Sequence, residues 1–243
     1  MDAEILIALA LGLGAALYTS VGHGGASAYL AIMSLAAVPV AVMRPTALAL
    51  NIIATLLTSL RYGRAGMFRW RTLWPFVLGS IPFAFLGGAI AVPGDIYRPL
   101  VGVVLLIGAV RLLWPKELTT NIAPRDPHVL FGIAAGAALG FLAGLTGTGG
   151  GIFLSPLLLF MGWSETRTAS GVVALFILLN SLAGLAGNLA SIGALPDELP
   201  LYAGAVLAGT AVGTTIGIRV PRNRLLQLLG VVLVIAGVKL IAL

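Results

Sequence analysis

Two glycine-rich stretches contain the residue types in this chain that are best suited to hold a ligand. Glycine costs roughly 1 kcal/mol per residue in a helix interior, so each stretch predicts a break in a helix. Main-chain N–H groups at the start of a helix bind anions, and neighbouring hydroxyls add donors. The predicted ligand-binding residues of the two stretches are Gly22, His23, Gly24, Gly25 and Ser27, and Thr146, Gly147, Thr148, Gly149, Gly150 and Gly151.

We call residues 22–25 the first break and residues 147–150 the second break. For both, the alternative to a binding site is close helix packing, which small residues favour in membrane proteins. Ser20 and Ser155 lie beside the breaks and add hydroxyl donors. His23 is open to three interpretations: an imidazolium that binds an anion, a proton carrier, or a neutral ring bonded to a nearby hydroxyl.

Four further polar residues are candidates for the substrate path. Asn51 and Asn180 lie inside apolar runs, where an amide either hydrogen-bonds to a neighbouring helix or lines a cavity. Arg44 and Arg167 occupy roughly corresponding positions after the two breaks and would attract anions as a pair. The alternative for these arginines is an ordinary place at the membrane surface.

The acidic residues and the missing motifs exclude several functions. Every Asp and Glu is predicted to lie in a loop or at a terminus, whereas cation carriers usually place a carboxylate in the bilayer. The chain has no cysteine, no protease or hydrolase signature and no P-loop. We therefore expect a non-enzyme without cofactor or metal that handles an anionic or neutral substrate, with coupling to a proton or another ion left open.

The composition assigns the chain to the lipid bilayer. Of its 243 residues, 59% are hydrophobic and only 9% are charged, against about 25% charged in soluble domains. Several apolar runs approach the roughly 20 residues of a membrane helix. The net charge of +6 comes mostly from arginines in the loops, which indicates the positive-inside rule rather than nucleic-acid binding.

The elements that position the breaks form two similar halves. Residues 1–115 are predicted as the first membrane repeat, 116–127 as a cytoplasmic connection and 128–243 as the second repeat. Each half begins with the broken segment and continues with three full spans. Pro39 and the Arg44-Pro45 pair mark a predicted boundary, because proline disfavours helix in the preceding residue. The predicted helices cover residues 4–20, 26–38, 46–60, 73–92, 97–114, 129–145, 152–161, 167–192, 201–218 and 225–243.

Loop charges predict that the two halves are inverted in the membrane. The loop 61–71 is basic and its counterpart 195–200 is acidic, while the nearly neutral turn 93–98 corresponds to the basic loop 219–224. Opposite charge in equivalent loops is expected of inverted repeats. Inversion requires an odd number of crossings per half, so the broken segment must enter and return. The basic loops and the connection then lie in the cytoplasm and both termini lie outside.

The glycine motifs resemble those of a known family. The run from Thr146 to Leu158 looks like the glycine-rich motif of the TauE/SafE sulfite exporter family, and residues 22–25 resemble its partner motif. One departure is Ala28 or Tyr29, where the family often has proline. The resemblance implies a multi-pass permease of the bacterial or archaeal cytoplasmic membrane that exports sulfite or an organosulfonate. An anion channel and a non-transporting scaffold are the alternatives, and the oligomeric state is left open.

Overall fold

The computed structural model describes residues 2–113, 125–191, 195–217 and 223–242, and within them the fold is entirely helical. The helices are α1 Asp2–Thr19, α2 Ala26–Leu35, α3 Val40–Arg64, α4 Trp70–Ala89, α5 Gly94–Leu113, α6 Val129–Thr146, α7 Gly151–Phe160, α8 Thr166–Ser191, α9 Leu199–Gly217 and α10 Asn223–Ala242. Most of the predicted connection, and the loop arginines Arg219 and Arg222, lie outside the described residues.

The predicted helix boundaries agree with the structure to within a few residues, except at α3. The predicted boundary at Arg44-Pro45 is wrong, because α3 begins at Val40 and contains Pro45. Proline removes one helical hydrogen bond. The bond lost here is the one to the carbonyl of Ala41, an exposed residue near the helix start, so the helix continues.

The chain is an integral membrane protein with a lipid-facing apolar surface. Within the described ranges, five helices are long and apolar enough to cross a membrane: α3, α4, α6, α8 and α9. α5 and α10 have 20 residues each, which is the length of a crossing. Large apolar side chains such as Leu6, Leu78 and Leu130 are exposed on the outside of the bundle, as contact with lipid requires.

The helices repeat in the same order and with nearly the same lengths. The first five contain 18, 10, 25, 20 and 20 residues, and the second five contain 18, 10, 26, 19 and 20. α1 therefore corresponds to α6, α2 to α7, α3 to α8, α4 to α9 and α5 to α10. This order agrees with a duplicated chain.

Corresponding helices of the two halves run in opposite directions where they meet. Near the start of α3, Arg44 lies beside Asn188, and in its middle Asn51 contacts Ser181. Residue numbers in contact increase along α3 while they decrease along α8, so the two helices are antiparallel. α5 and α10 pack against each other in the same antiparallel way. A two-fold axis in the membrane plane would produce this arrangement, which is therefore consistent with an inverted repeat.

Each broken segment packs on a helix of the other half. α1 runs along α9, and α6 runs along α4. Glycines bring these backbones close: a Cβ at Gly209 would overlap the main chain of Gly12, and one at Gly140 would overlap that of Ser80. Gly132 and Gly136 likewise pack against α4, whereas Gly204 faces open space.

The basic segments meet at one end of the bundle, which we call the basic end. Arg61, in the last turn of α3, donates to Thr214 Oγ1 near the end of α9 at 2.7 Å. Arg69, before α4, pairs with Asp126, before α6, at 3.0 Å. Lys239, near the end of α10, lies at the opposite end, where its Nζ donates to the Ser34 and Leu35 carbonyls at the end of α2. These contacts agree with the topology that the loop charges predict.

Candidate functional site

Both glycine stretches break a helix and reverse the chain. In the second break, Gly147, Gly149 and Gly150 have φ of +82°, +72° and +76°, a conformation that glycine adopts without strain. Gly22 has φ of +79° in the first break. α2 then returns alongside α1, because a Cβ at Gly14 would meet the side chains of Ala28 and Ile32. The entering and returning arms that inversion requires are therefore present in the first half.

The same chain reversal occurs in the second half. A Cβ added at Gly150 would lie 3.2 Å from Ala143 Cβ and 3.4 Å from the carbonyl oxygen of Leu139. Both residues precede the end of α6 at Thr146. The backbone at Gly150 has therefore turned back beside α6 before α7 begins.

Asn51 lies between the two breaks and contacts both. Its Oδ1 accepts a hydrogen bond from Ala26 N, the first residue of α2, at 3.3 Å. Its Nδ2 donates to Ser181 Oγ on α8 at 3.0 Å. A Cβ at Gly24 would overlap Oδ1, and one at Gly149 would lie 2.5 Å from Nδ2. The breaks therefore meet at this buried amide, which lies halfway along α3.

The carbonyl end of each broken helix is capped by side chains from other helices. At the end of α6, Tyr97 Oη donates to the Thr146 carbonyl at 2.8 Å, and Arg44 donates to the Leu145 carbonyl at 3.1 Å. At the end of α1, Tyr62 Oη donates to the Thr19 carbonyl at 3.0 Å. These donors bond to carbonyls of the last helical turn, which receive no hydrogen bond from within their own helix.

Arg44 is only 4% exposed and is surrounded by oxygen acceptors. Besides Leu145, its guanidinium donates to the carbonyls of Gly88 at 2.8 Å and Ile90 at 3.0 Å. With the Asn188 amide oxygen turned toward the guanidinium, that oxygen accepts from Nε at 2.9 Å. The positive charge therefore lies at the carbonyl ends of α4 and α6, where the helix dipoles are negative.

Arg167, the other arginine predicted to flank the site, is exposed at the start of α8. The two arginines therefore do not share an environment. Arg44 contacts Gly147 in the second break, and Ser170 of α8 occupies the corresponding position beside Gly22 in the first break. The Ser170 hydroxyl donates to the Val21 carbonyl at 3.0 Å.

The hydroxyls predicted to line the breaks are buried, and several already have partners. Thr146 Oγ1 donates to the Leu142 carbonyl at 2.6 Å and lies 2.9 Å from Thr148 Oγ1. Ser20 Oγ donates to the Leu17 carbonyl at 2.6 Å. Ser27 and Ser155 are buried beside the starts of α2 and α7.

His23 and Asn180 differ in their relation to the breaks. His23 is half-buried, the most accessible residue of the first break, and its Nδ1 lies 3.2 Å from the Val21 carbonyl. Asn180 is fully buried on α8, where its Nδ2 donates to the Phe176 carbonyl of the same helix at 2.8 Å. The structure therefore brings Asn51 to both breaks and engages Asn180 with its own helix.

The returning helices α2 and α7 begin with main-chain donors. Their N-caps are Gly25 and Gly150, which supply no side-chain cap. The N–H groups of a first helical turn have no acceptor within the helix, and the helix dipole adds positive potential there. The site therefore has its carbonyls capped by protein donors and its N–H groups directed toward the breaks, which favours a negatively charged ligand.

Comparison with known proteins agrees with this architecture. The sequence profile of the family described as "Sulfite exporter TauE/SafE" matches residues 6–240. The chain belongs to the TauE/SafE family. A "Probable membrane transporter protein" of Sinorhizobium fredii is 36% identical over 99% of this chain and 100% of its own length. The family and this relative identify the chain as a membrane transporter rather than an enzyme.

A second relative covers less of the chain. A "Probable membrane transporter protein" of Xylella fastidiosa is 30% identical over 43% of this chain and 41% of its own length. No solved structure matches the chain.

Three residues that hold the breaks were not predicted from the sequence. Tyr62, Tyr97 and Ser181 all contact the breaks or Asn51. A polar side chain inside an apolar span is the signal that would have selected them, because such groups require partners in the membrane.

Proposed function

We propose that the chain is a secondary transporter of a small anion, sulfite or an organosulfonate, that binds where the two breaks meet at Asn51. The observation that carries this proposal is the asymmetry of hydrogen-bonding groups at the breaks. The carbonyl ends of α1 and α6 are capped by Tyr62, Tyr97 and Arg44, whereas α2 and α7 start at glycines that supply no side-chain cap.

An anion is the ligand that this arrangement fits. Oxyanions accept hydrogen bonds from main-chain N–H groups at a helix start. The buried Arg44 charge lies within one helical turn of Gly147 and has no described carboxylate bonded to it, so it adds a positive field to the second break. A cation would meet no described carboxylate there.

Asn51 holds the place of the substrate when no substrate is bound. Its amide oxygen accepts from Ala26 N, as a substrate oxygen would do. Because the bond is 3.3 Å long and neutral, a charged oxyanion would compete for this donor with a stronger hydrogen bond. Substrate binding thus releases Asn51 and loosens the link between α2 and α8.

The depth of the breaks suggests how access alternates. The first break lies toward the basic end, since α1 ends beside Tyr62 in the last turns of α3. The second break lies toward the other end, since Gly147 contacts Arg44 near the start of α3. Apart from half-buried His23, the residues of both breaks are buried. Opening either end would therefore expose one break while the other stays closed.

Flux through proteoliposomes tests the proposal. The parent should transport sulfite with saturable kinetics, and Gly24→Ala should reduce the rate at least tenfold because the added methyl overlaps Asn51. Gly204→Ala is the matched control, since its methyl would enter open space. Thermal unfolding of each purified variant separates lost transport from lost folding.

Three outcomes would contradict the proposal. Parental flux by folded Gly24→Ala would remove the breaks from the transport path. Chloride flux that does not saturate would identify a channel. Absence of sulfite, sulfoacetate and chloride flux, together with no anion-dependent stabilisation, would indicate the scaffold.

A further inference from the structure

Two buried tyrosine hydroxyls at the first break have no hydrogen-bond partner. Tyr29 is 0% exposed and Tyr18 is 3% exposed, and neither Oη bonds to a protein group. A buried hydroxyl without a partner lowers stability. Phenylalanine would fill the same volume without that cost. A hydrogen bond to a bound ligand would explain why both residues carry a hydroxyl.

The hydroxyls lie at the start of α2. The Tyr29 ring folds back toward the helix N-terminus, so its Oη and Cζ occupy the space that a Cβ on Gly25 would need. Tyr18, in the last turn of α1, lies near Tyr29 and next to Ser27, although the Tyr18–Ser27 contact does not have hydrogen-bond geometry. Three hydroxyls thus lie at the first turn of α2, whose N-cap Gly25 supplies no side-chain cap.

The other buried tyrosines at the breaks are satisfied. Tyr62 donates to the Thr19 carbonyl and Tyr97 to the Thr146 carbonyl. The other buried hydroxyls without a partner in the described residues belong to serines and threonines within α3, α4 and α9. Unsatisfied phenols are therefore confined to the first break.

The second break has no counterpart of this pair. Gly22 and Gly147 differ by 125 positions, and the same shift carries Tyr18 and Tyr29 to Ala143 and Leu154. The apolar side chains of these two residues offer no donor. The duplicated halves have therefore diverged, and among the described residues the phenols without a hydrogen-bond partner lie at the first break alone.

We propose that Tyr18 and Tyr29 are substrate-binding residues that donate their hydroxyl hydrogens to an oxyanion at the start of α2. This inference rests on the proposed function. An ion with three oxygens on one centre, such as sulfite or a sulfonate head group, accepts from both phenols and from main-chain N–H groups together. A halide accepts hydrogen bonds at a single centre, whereas the oxyanion offers a separate oxygen to each donor, so the phenols favour oxyanions over chloride.

Phenylalanine variants of the purified full-length protein test the proposal. Without ligand, Tyr18→Phe and Tyr29→Phe should unfold at the parental temperature or above it, because each removes an unsatisfied hydroxyl. Each should weaken sulfite binding about tenfold, as expected for a hydrogen bond to a charged group. Chloride binding should weaken less than sulfite binding. Sulfite, sulfoacetate and chloride are the probes, and binding is measured by calorimetry and by ligand-induced thermal shift.

Two controls separate a ligand contact from a structural contact. Tyr97→Phe should lower the unfolding temperature without ligand, since its hydroxyl satisfies a carbonyl. Tyr202 lies on α9, away from the breaks. Tyr202→Phe should therefore leave sulfite affinity unchanged and alter the unfolding temperature only slightly.

The outcomes distinguish this inference from the proposed function. If the parent binds sulfite or sulfoacetate and both phenylalanine variants keep its affinity, the assignment of the tyrosines is wrong and the transporter proposal stands. If Tyr18→Phe and Tyr29→Phe lower the unfolding temperature without ligand as Tyr97→Phe does, the hydroxyls are structural. If the parent binds neither anion, both proposals fail.

Discussion

Replacing Arg44 with methionine should destabilise the protein by an amount that follows from its hydrogen bonds. The guanidinium serves three main-chain carbonyls, those of Gly88, Ile90 and Leu145. A buried acceptor left without a donor costs about 1–3 kcal/mol, so three cost at least about 3 kcal/mol. Removing a buried charge offsets part of the loss, which is why we take the lower bound.

The expected change in unfolding temperature is large enough to measure. For a chain of 150–250 residues, each 1 kcal/mol shifts Tm by about 2–4 °C. Arg44→Met should therefore lower Tm by about 6–12 °C in detergent solution. Arg44→Lys keeps the charge but lacks the planar fork that reaches several acceptors, so its Tm should lie between those of the parent and Arg44→Met.

Arg167→Met is the matched control, because Arg167 is exposed at the start of the corresponding helix α8. Exposed substitutions usually change stability by less than about 0.5 kcal/mol, so its Tm should stay within about 2 °C of the parent. An Arg44→Met variant that also stays within about 2 °C would show that Arg44 does not cap α4 and α6 in the folded protein.

Two further predictions concern Asn51 and Lys239. Asn51→Asp places a carboxylate at the start of α2, where a helix dipole stabilises negative charge. We expect the variant to fold but to lose both sulfite flux in proteoliposomes and the sulfite-induced thermal shift. Parental flux would refute the proposal that Asn51 occupies the position of a substrate oxygen. Lys239→Met removes the donor to the Ser34 and Leu35 carbonyls at the end of α2; Tm should fall by about 2–4 °C, the equivalent of one hydrogen bond, and an unchanged Tm would show that this contact does not hold α2.

The architecture could be predicted from the sequence because it depends on local signals. A cluster of glycines in an apolar run favours the end of a helix. The breaks at Gly22 and Gly147 could therefore be predicted without knowledge of the tertiary structure. The prediction of where α3 begins was wrong because proline only disfavours helix in the preceding residue and does not forbid it. Pro45 lies close enough to the helix start that the lost hydrogen bond falls on exposed Ala41.

The environment of individual polar residues could not be predicted in the same way. Arg44 and Arg167 look equivalent in the sequence, yet one is buried against three carbonyls and the other is exposed. The carbonyl partners of Arg44 are 44 to 101 positions away, so no local pattern reports them. Tyr18 and Tyr29 were overlooked because a missing partner becomes visible only when the surrounding helices are in place.

The exchange of broken segments between halves has a consequence for how the protein is made. α1 is covered by α9, and about 180 residues of chain lie between the end of α1 and the start of α9. At roughly 5–20 residues per second, the ribosome needs about 10–40 s to supply α9 after α1 has entered the membrane. During that time the Gly12 face of α1 is not yet packed against its partner. Completion of the first break therefore waits for the last quarter of translation, and a nascent first half cannot yet be a transporter.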